Sequence, residues 1–495
     1  MSARRYRFGP LEQRGLVGPL GFGQVGTLAG AAALGLGALY ALGGWGGLIV
    51  ALLLISGAAV LVIVPVEGRT ALSWAPHAVR WATRVRGRAG YRSPRPGAGF
   101  GGGGEAAAET ALPPELGRLA MAEVPYRSDR VGVLHDPAAG TFSVALAVRA
   151  GSFGLLDPSE QERKLEGWGS VLASLARDGS PVRRLQWIER TLPAPGDELA
   201  AYLQAERDRS VPLDSGLVAS YIELIESAAP ATTEHEILLV LQIDERRGAR
   251  ELRRLGGGPG AARMLALREA ESLAERLSVA EVSVLGLLRP RRYAQAIRDA
   301  FDPFGRQARA RAALGDPERA GVDPAQMGPL AAQEEWSRYR TDSAHHVSGW
   351  ISAWPRTDVG PAFLTPLLMQ STAPRTVAVC IEPVPHTLAV RRAEAARTAE
   401  VAEEIQRERQ GFMTTARIRR RQQAAARKEE ELADGHAEMR FAGFISAYGP
   451  DAEAAERSYA ETEHSAALAR LELQRLYGEQ ARAFTFTLPL GWGLA

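Results

Sequence analysis

Two uninterrupted apolar runs dominate the start of the chain. Residues 25–42 (VGTLAGAAALGLGALYAL) and 48–64 (LIVALLLISGAAVLVIV) contain no charged side chain. Each approaches the ~20 residues that a helix needs to cross a hydrocarbon core. The connection at 43–47 is long enough only for a tight turn, so the two helices are expected to run antiparallel, as a transmembrane hairpin over 24–66 that follows a short segment, 1–23. A cleaved secretion signal would show one shorter apolar core before a polar mature chain, whereas here a second apolar run follows at once. Gly26-x-x-x-Gly30 would let helices approach closely, although glycine is frequent throughout this chain.

Directly after the hairpin, residues 69–88 combine an alanine-rich helical stripe with Trp74 and Trp81, while Arg80, Arg84 and Arg88 recur at intervals of four. A helix of this kind, within a basic segment at 67–94, is expected to lie along the headgroups. The tryptophans would then sit at the interface and the arginines on anionic lipid. The alternative is an ordinary surface helix of the soluble region.

Beyond a Gly-rich linker at 95–112, the period switches between strand and helix. Residues 131–135 and 141–150 alternate around a 136–140 turn and read as a hairpin. Asp157-Pro158 starts a helix with Leu165, Trp168, Leu172 and Leu175 as its buried stripe. Strands follow at 183–191, 236–244 and 282–287, with helices near 195–208, 213–228, 261–277 and 290–300. These compose a first α/β module at 113–304. A polar stretch, 305–342, reads as a linker to a second module, 343–495. There, strands are expected at 345–354, 375–382, 439–448 and 469–473. Helices are expected over 387–434 (interrupted at Gly411 and capped by Gly435) and over 450–465. Read as β-α-β-α-β-α-β, the second module fits a ferredoxin-like sheet with helices on one side. The fold class is α+β, with a two-helix membrane hairpin ahead of two mixed modules.

Charge orients the hairpin. Residues 1–96 hold eleven arginines against Glu12 and Glu67, a local +9, so the remainder carries −7 within a total of +2. Both flanks of the hairpin are basic and its loop is uncharged. The positive-inside rule therefore places both termini and the soluble region in the cytoplasm, with two spans in the cytoplasmic membrane. A basic flank fits an anionic phospholipid surface, and the acidic bulk argues against nucleic acid. The single cysteine, Cys380, excludes an intrachain disulfide and lies in an apolar strand, as a buried thiol would.

Candidate chemistry is sparse. The only lysines are Lys164 and Lys428, and neither follows a glycine-rich loop, so a Walker A phosphate site is absent. Residues 238–245 (LLVLQIDE) imitate a Walker B strand but lack a partner loop, and read as a core strand. The 256–260 sequence GGGPG could offer amides to an anion, but reads better as a turn. His345 and His346 would point to opposite faces of a strand and make poor joint metal ligands. No H-E-x-x-H or G-x-S-x-G pattern occurs. Arg417, Arg419, Arg420 and Arg421 point several ways around a helix, as on a solvated surface. Trp168, Trp187, Trp350 and Trp354 read as core. No catalytic, cofactor-binding or metal residue emerges.

The layout resembles two proteins of bacterial type IV secretion and conjugation machines. The hairpin is similar to their small two-helix, PrgI-like inner-membrane subunit. The soluble region looks like the non-catalytic amino-terminal domain of the large ATPase onto which that subunit docks. Residues 429–439 (EEELADGHAEM), 441–449 (FAGFISAYG), 451–467 and 475–491 (RLYGEQARAFTFTLPLG) carry most of the likeness. Phe484, Phe486, Leu488 and Pro489 match a segment that precedes the ATPases' nucleotide-binding domain. Fused membrane proteins of this kind occur in actinobacteria beside separately encoded ATPases. The chain ends at Ala495, where the catalytic domain would begin, so no catalytic residue carries over.

The resemblance implies a non-enzymatic membrane adaptor, homo-oligomeric, that recruits a separate secretion-type ATPase. An exposed tail with Leu488, Pro489, Leu490, Gly491 and Trp492 is the expected docking segment. The alternative is a membrane-anchored ligand-binding or enzymatic protein that uses the cleft between its modules.

Overall fold

The computed structural model describes residues 22–66, 69–87, 90–93, 112–117, 119–149, 151, 153, 156–193, 215–216, 219–220, 223, 233–313, 321–409 and 416–493. The 1–21 segment, most of the 95–112 linker, most of the expected helices at 195–208 and 213–228, and the interruption at Gly411 lie outside them.

Two helices come first, α1 (Phe22–Leu42) and α2 (Gly44–Ile63). Two short strands, β1 (Pro65–Val66) and β2 (Arg69–Thr70), pair with each other and turn the chain into α3 (Ala71–Gly87) and β3 (Tyr91–Arg92). There follow β4 (Ala120–Tyr126), β5 (Asp129–Asp136), β6 (Thr141–Arg149), α4 (Pro158–Leu175), β7 (Val182–Pro193) and β8 (Thr233–Asp244). Next come α5 (Ala249–Arg254), α6 (Gly258–Val279), β9 (Ser283–Leu287), α7 (Pro290–Phe301) and α8 (Arg306–Ala313). The chain continues through β10 (Ala331–Glu334), β11 (Tyr339–Arg340), β12 (His345–Ala353), β13 (Arg375–Pro383), α9 (His386–Arg409) and α10 (Ala416–Ala433). It closes with β14 (Met439–Gly449), α11 (Ala452–Leu468), β15 (Glu472–Arg475) and α12 (Gln480–Thr485).

Thirteen strands make one sheet, in the order β3-β10-β11-β12-β14-β13-β7-β8-β6-β5-β4, with β15 beside β12 and β9 beside β6. Every pairing among the described residues is antiparallel. The two halves repeat one order, β7-β8-β6-β9 and β13-β14-β12-β15. In each half the strand of that set that comes earliest in the chain, β6 or β12, pairs with the strand before it in sequence over its first part. Over its second part it pairs with the last strand, through a register shift in both halves. The halves join at β7 and β13, from Arg375 opposite Thr191 to Ile381 opposite Leu185. Strands from both expected modules thus belong to one sheet, and 305–342 supplies β10 and β11 to it.

Both faces of the sheet are covered, which explains why several strands are apolar on both sides. On one face Phe142, Val144, Leu146, Leu185 and Leu241 meet Val171 and Leu175 of α4 and Leu265, Leu273 and Leu277 of α6. On the same face of the second half, Ile351, Val377 and Ile445 meet Ala466 of α11. The opposite face packs Ala145, Ile188, Leu238, Val240 and Ala378 against Tyr293, Ile297 and Phe301 of α7, and against Phe484, Leu488 and Leu490.

Most expected strands and helices appear within a few residues of their expected bounds. Two differences have local causes. Between β12 and β13 the chain carries Pro355, Pro361, Pro366 and Pro374, and forms one π-helical turn (Pro366–Gln370) in place of an α-helix. Proline lacks the N–H that a continuous helix needs. The last strand begins at Glu472, because residues 469–471 close α11, with the Arg470 and Leu471 amides donating to Ala467 O and Ala466 O.

Candidate functional site

The hairpin helices pack on each other along Ala51, Ala58 and Val62, which are buried. At the turn, a Cβ on Gly47 would stand 2.9 Å from Ala38 O and from Leu39 Cα, so only glycine admits this approach. The rest of the surface is apolar and open: Leu34, Leu36, Tyr40, Trp45, Leu52 and Leu53 are all more than 60% exposed. Only 6% of the first span and 22% of the second are buried inside the protein. Two helices are therefore long and apolar enough to cross a membrane, and neither is a covered core helix.

Helix α3 joins this hairpin to the sheet. Trp74, His77 and Trp81 fall at helical spacing on one face. The Trp74 ring lies 5.8 Å from Trp336 and 5.8 Å from Tyr477, and Trp81 meets Trp336 edge-on at 5.3 Å. Trp336 stacks in turn on Tyr477 at 6.4 Å. His77 Nε2 stands 3.8 Å from the Glu479 carboxylate. A Cβ on Gly478, which has φ +71, would meet the Trp336 ring at 2.6 Å, so glycine makes room for the indole. Behind Tyr477, the Arg475 guanidinium sits between the Tyr459 and Tyr477 rings at 5.1 and 5.3 Å, while Glu456 accepts two of its hydrogen bonds.

Of the residues expected at the membrane interface, Trp74 and Trp81 thus lie half-buried on the sheet edge, and Arg80 lies on the exposed face of α3. Arg84 is further along the same helix, and Arg88 lies outside the described residues. Trp336 lies inside a stretch whose polarity reads as a linker, and a tryptophan in so polar a stretch is the one local signal that it packs.

The carboxy-terminal segment is not an exposed tail, and that expectation is corrected. Leu488 and Leu490 are 0% and 1% exposed, Pro489 and Gly491 are buried, and Trp492 is half-buried. The segment crosses the sheet face from the second half to the first, held by polar side chains that the strands project between apolar ones. Gln186 donates to Phe486 O at 2.8 Å and accepts from the Gly491 amide at 2.8 Å. Ser143 and Gln242 both donate to Leu490 O, and the Tyr293 hydroxyl donates to Pro489 O at 2.7 Å.

Where this segment leaves the sheet there is a cavity of about 990 Å³. Arg184, Arg482, Phe486 and Trp492 line it, as do Glu115, Glu334 and Tyr339. Arg184 is buried, 3.9 Å from a Glu382 carboxylate that Arg247 also binds, and its burial lowers its pKa. Burial, then the charges of Glu115 and Glu334, hold the Tyr339 hydroxyl well above its ordinary pKa. The cavity therefore has basic and acidic linings.

The other candidates resolve into structure. Asp244 ends β8 in an ion pair with Arg183 at 3.2 Å, and its carboxylate accepts from the Arg246 and Arg247 amides. Residues 256–258 turn the chain from α5 into α6. His345 and His346 face opposite sides of β12. His346 is buried against Phe484 with Nε2 2.9 Å from Thr341 Oγ1, and burial pushes its pKa down to about 3. Among the described residues, no group of three or more His, Cys, Asp or Glu side chains is placed to hold a metal ion. No family model matches the sequence, and no curated protein matches it.

Proposed function

We propose that this chain is a non-enzymatic adaptor of a type IV secretion-like or conjugation-like apparatus, set in the cytoplasmic membrane, with its soluble region in the cytoplasm. The observation that carries the reading is the join between anchor and body. Two lipid-compatible helices lead into α3, whose tryptophans clamp on Trp336 and Tyr477. A tether for an independent enzyme needs only a flexible link. A scaffold that holds a partner at a set place relative to the bilayer needs a rigid one. The repeated β7-β8-β6-β9 and β13-β14-β12-β15 orders support a ferredoxin-like reading of the second module. The resemblance supplies the partner, a separately encoded ATPase, and an oligomeric state. The buried carboxy-terminal segment leaves docking to exposed surfaces. Co-purification in mild detergent with a separately encoded secretion-type ATPase tests the reading, and an ATPase that never travels with the protein counts against it.

A second reading, a membrane-anchored ligand-binding protein, is favoured by the cavity at Arg184 and Arg482. Calorimetric titration with inorganic phosphate would support it by showing saturable heat that Arg184→Met abolishes.

A further inference from the structure

The path from α2 to the sheet decides which edge of the soluble region lies nearest the bilayer. Pairing of Pro65 with Thr70 folds the chain back immediately after α2, which leaves those Cα atoms about 5 Å apart. Helix α3 starts at the next residue, and Trp74 lies three residues further on, about 4.5 Å of axial rise. Trp74 touches Trp336 and Tyr477 directly. The β10–β11 turn and the end of β15 are therefore held within about 20 Å of the point where α2 leaves the hydrocarbon, and the headgroups occupy the first ~5–7 Å of that distance.

Charge at this edge is distinctive. Arg80 on α3, Arg92 on β3 and Arg340 on β11 are exposed. Of the nearby carboxylates, Glu335 pairs with Arg338 and Asp342 with Arg298, while the half-buried Glu334 accepts from the Ala481 amide and Glu479 stands beside His77, so the exposed charges here are the three arginines. The edge is thus basic on a soluble body that carries net negative charge. At the other end of the strand order stand β5 and β4, about 50 Å away at the usual strand spacing.

We propose that the β3–β10–β11 edge, together with the exposed face of α3, rests on an anionic phospholipid surface, and that the sheet extends away from the bilayer with its β4–β5 edge distal. The proposal rests on reading the hairpin as membrane-spanning, and the experiment separates the two. The full chain, carrying Cys380→Ala and one added cysteine bearing a bimane, is placed in nanodiscs of phosphatidylcholine and phosphatidylglycerol. Leu53→Cys reports the span, Gln333→Cys the proposed proximal edge, and Ala138→Cys the distal turn. Lipids spin-labelled in the acyl chain should quench Leu53→Cys. Headgroup-labelled lipids should quench Gln333→Cys and leave Ala138→Cys bright. Replacing phosphatidylglycerol by phosphatidylcholine should reduce the Gln333→Cys quenching. Quenching at Leu53→Cys with Gln333→Cys as bright as Ala138→Cys overturns the edge proposal alone. Loss of quenching at Leu53→Cys overturns the membrane reading beneath it.

Discussion

Trp74 and Trp336 stand 5.8 Å apart, ring centre to ring centre, although 262 positions separate them in the chain. Trp74 belongs to the helix that follows the apolar hairpin, and Trp336 to the turn between two strands of the sheet. Their contact, doubled by Trp81 and backed by Tyr477, fixes the helix that follows the apolar hairpin to the sheet.

Trp336→Ala should therefore release α3 while leaving the sheet folded. Aromatic truncation in a full core costs roughly 3–5 kcal/mol. Here the ring is half-buried, so a local loss of about 2 kcal/mol is expected. Amide hydrogen exchange in detergent should show protection falling along α3, with β12 and β14 unchanged. Equal loss of protection throughout would mean that the cluster supports the whole fold rather than the joint.

Much of this architecture is legible locally. Uncharged apolar runs mark the hairpin, and alternation over 141–149 and 375–383 marks β6 and β13. The missed strands are short or polar: β10 reads AAQE, β11 is Tyr339–Arg340, and Glu123 and Pro125 obscure β4. The seven-residue pairing of β7 with β13 depends on sequence separations that no local period encodes. The same limit misplaced the carboxy-terminal segment. LPLGWG offers no sign of whether its apolar side chains face solvent, a partner or the sheet, and Gln186 and Gln242 declare their role only once the strands are side by side.

Gln186→Leu tests that role. The substitution removes the acceptor of the Gly491 amide and the donor to Phe486 O together. Each buried group left unpaired costs about 1–3 kcal/mol, so a destabilisation of about 2–5 kcal/mol is expected. Gln242→Leu should cost less, because Ser143 still donates to Leu490 O. Thermal unfolding followed by circular dichroism ranks the two, and the reverse order would refute this account of the segment.

Acid should weaken the fold through His346. Its pKa is about 3 in the folded protein, against 6.5 for the free side chain, so folding favours the neutral ring. That contribution is complete above pH 6.5 and is lost as pH falls from 6.5 towards 3, because the unfolded chain takes up the proton first. Each pH unit across this window costs about 1.4 kcal/mol, so about 2 kcal/mol is lost at pH 5. Burial lowers His135 and His345 as well, which steepens the same trend. His346→Phe should flatten the slope of stability against pH by close to one proton. An unchanged slope would show that the ring is not the titrating group.

Arg190 provides the most demanding test of how α7 is attached to the sheet. Its guanidinium is 1% exposed, is paired with Glu236 on β8, and also donates to Ala296 O of α7. It lies beside a second set of charges in which Arg306 and Arg309 hold Asp299. Taking one partner from a fully buried pair costs about 3–5 kcal/mol, whereas replacing both by apolar residues is often neutral. Glu236 is 29% exposed and also faces Arg306, so a loss of about 2–3 kcal/mol is expected. Arg190→Met should therefore destabilise strongly, and Arg190→Met with Glu236→Leu should recover most of the loss. The double mutant cannot restore the donor to Ala296 O, so recovery should stop about 1 kcal/mol short of the parent. Chemical denaturation of the four proteins in one detergent completes the cycle. Additive losses would mean that the two side chains act independently, and that the attachment of α7 to the sheet rests on its apolar face, Tyr293, Ile297 and Phe301.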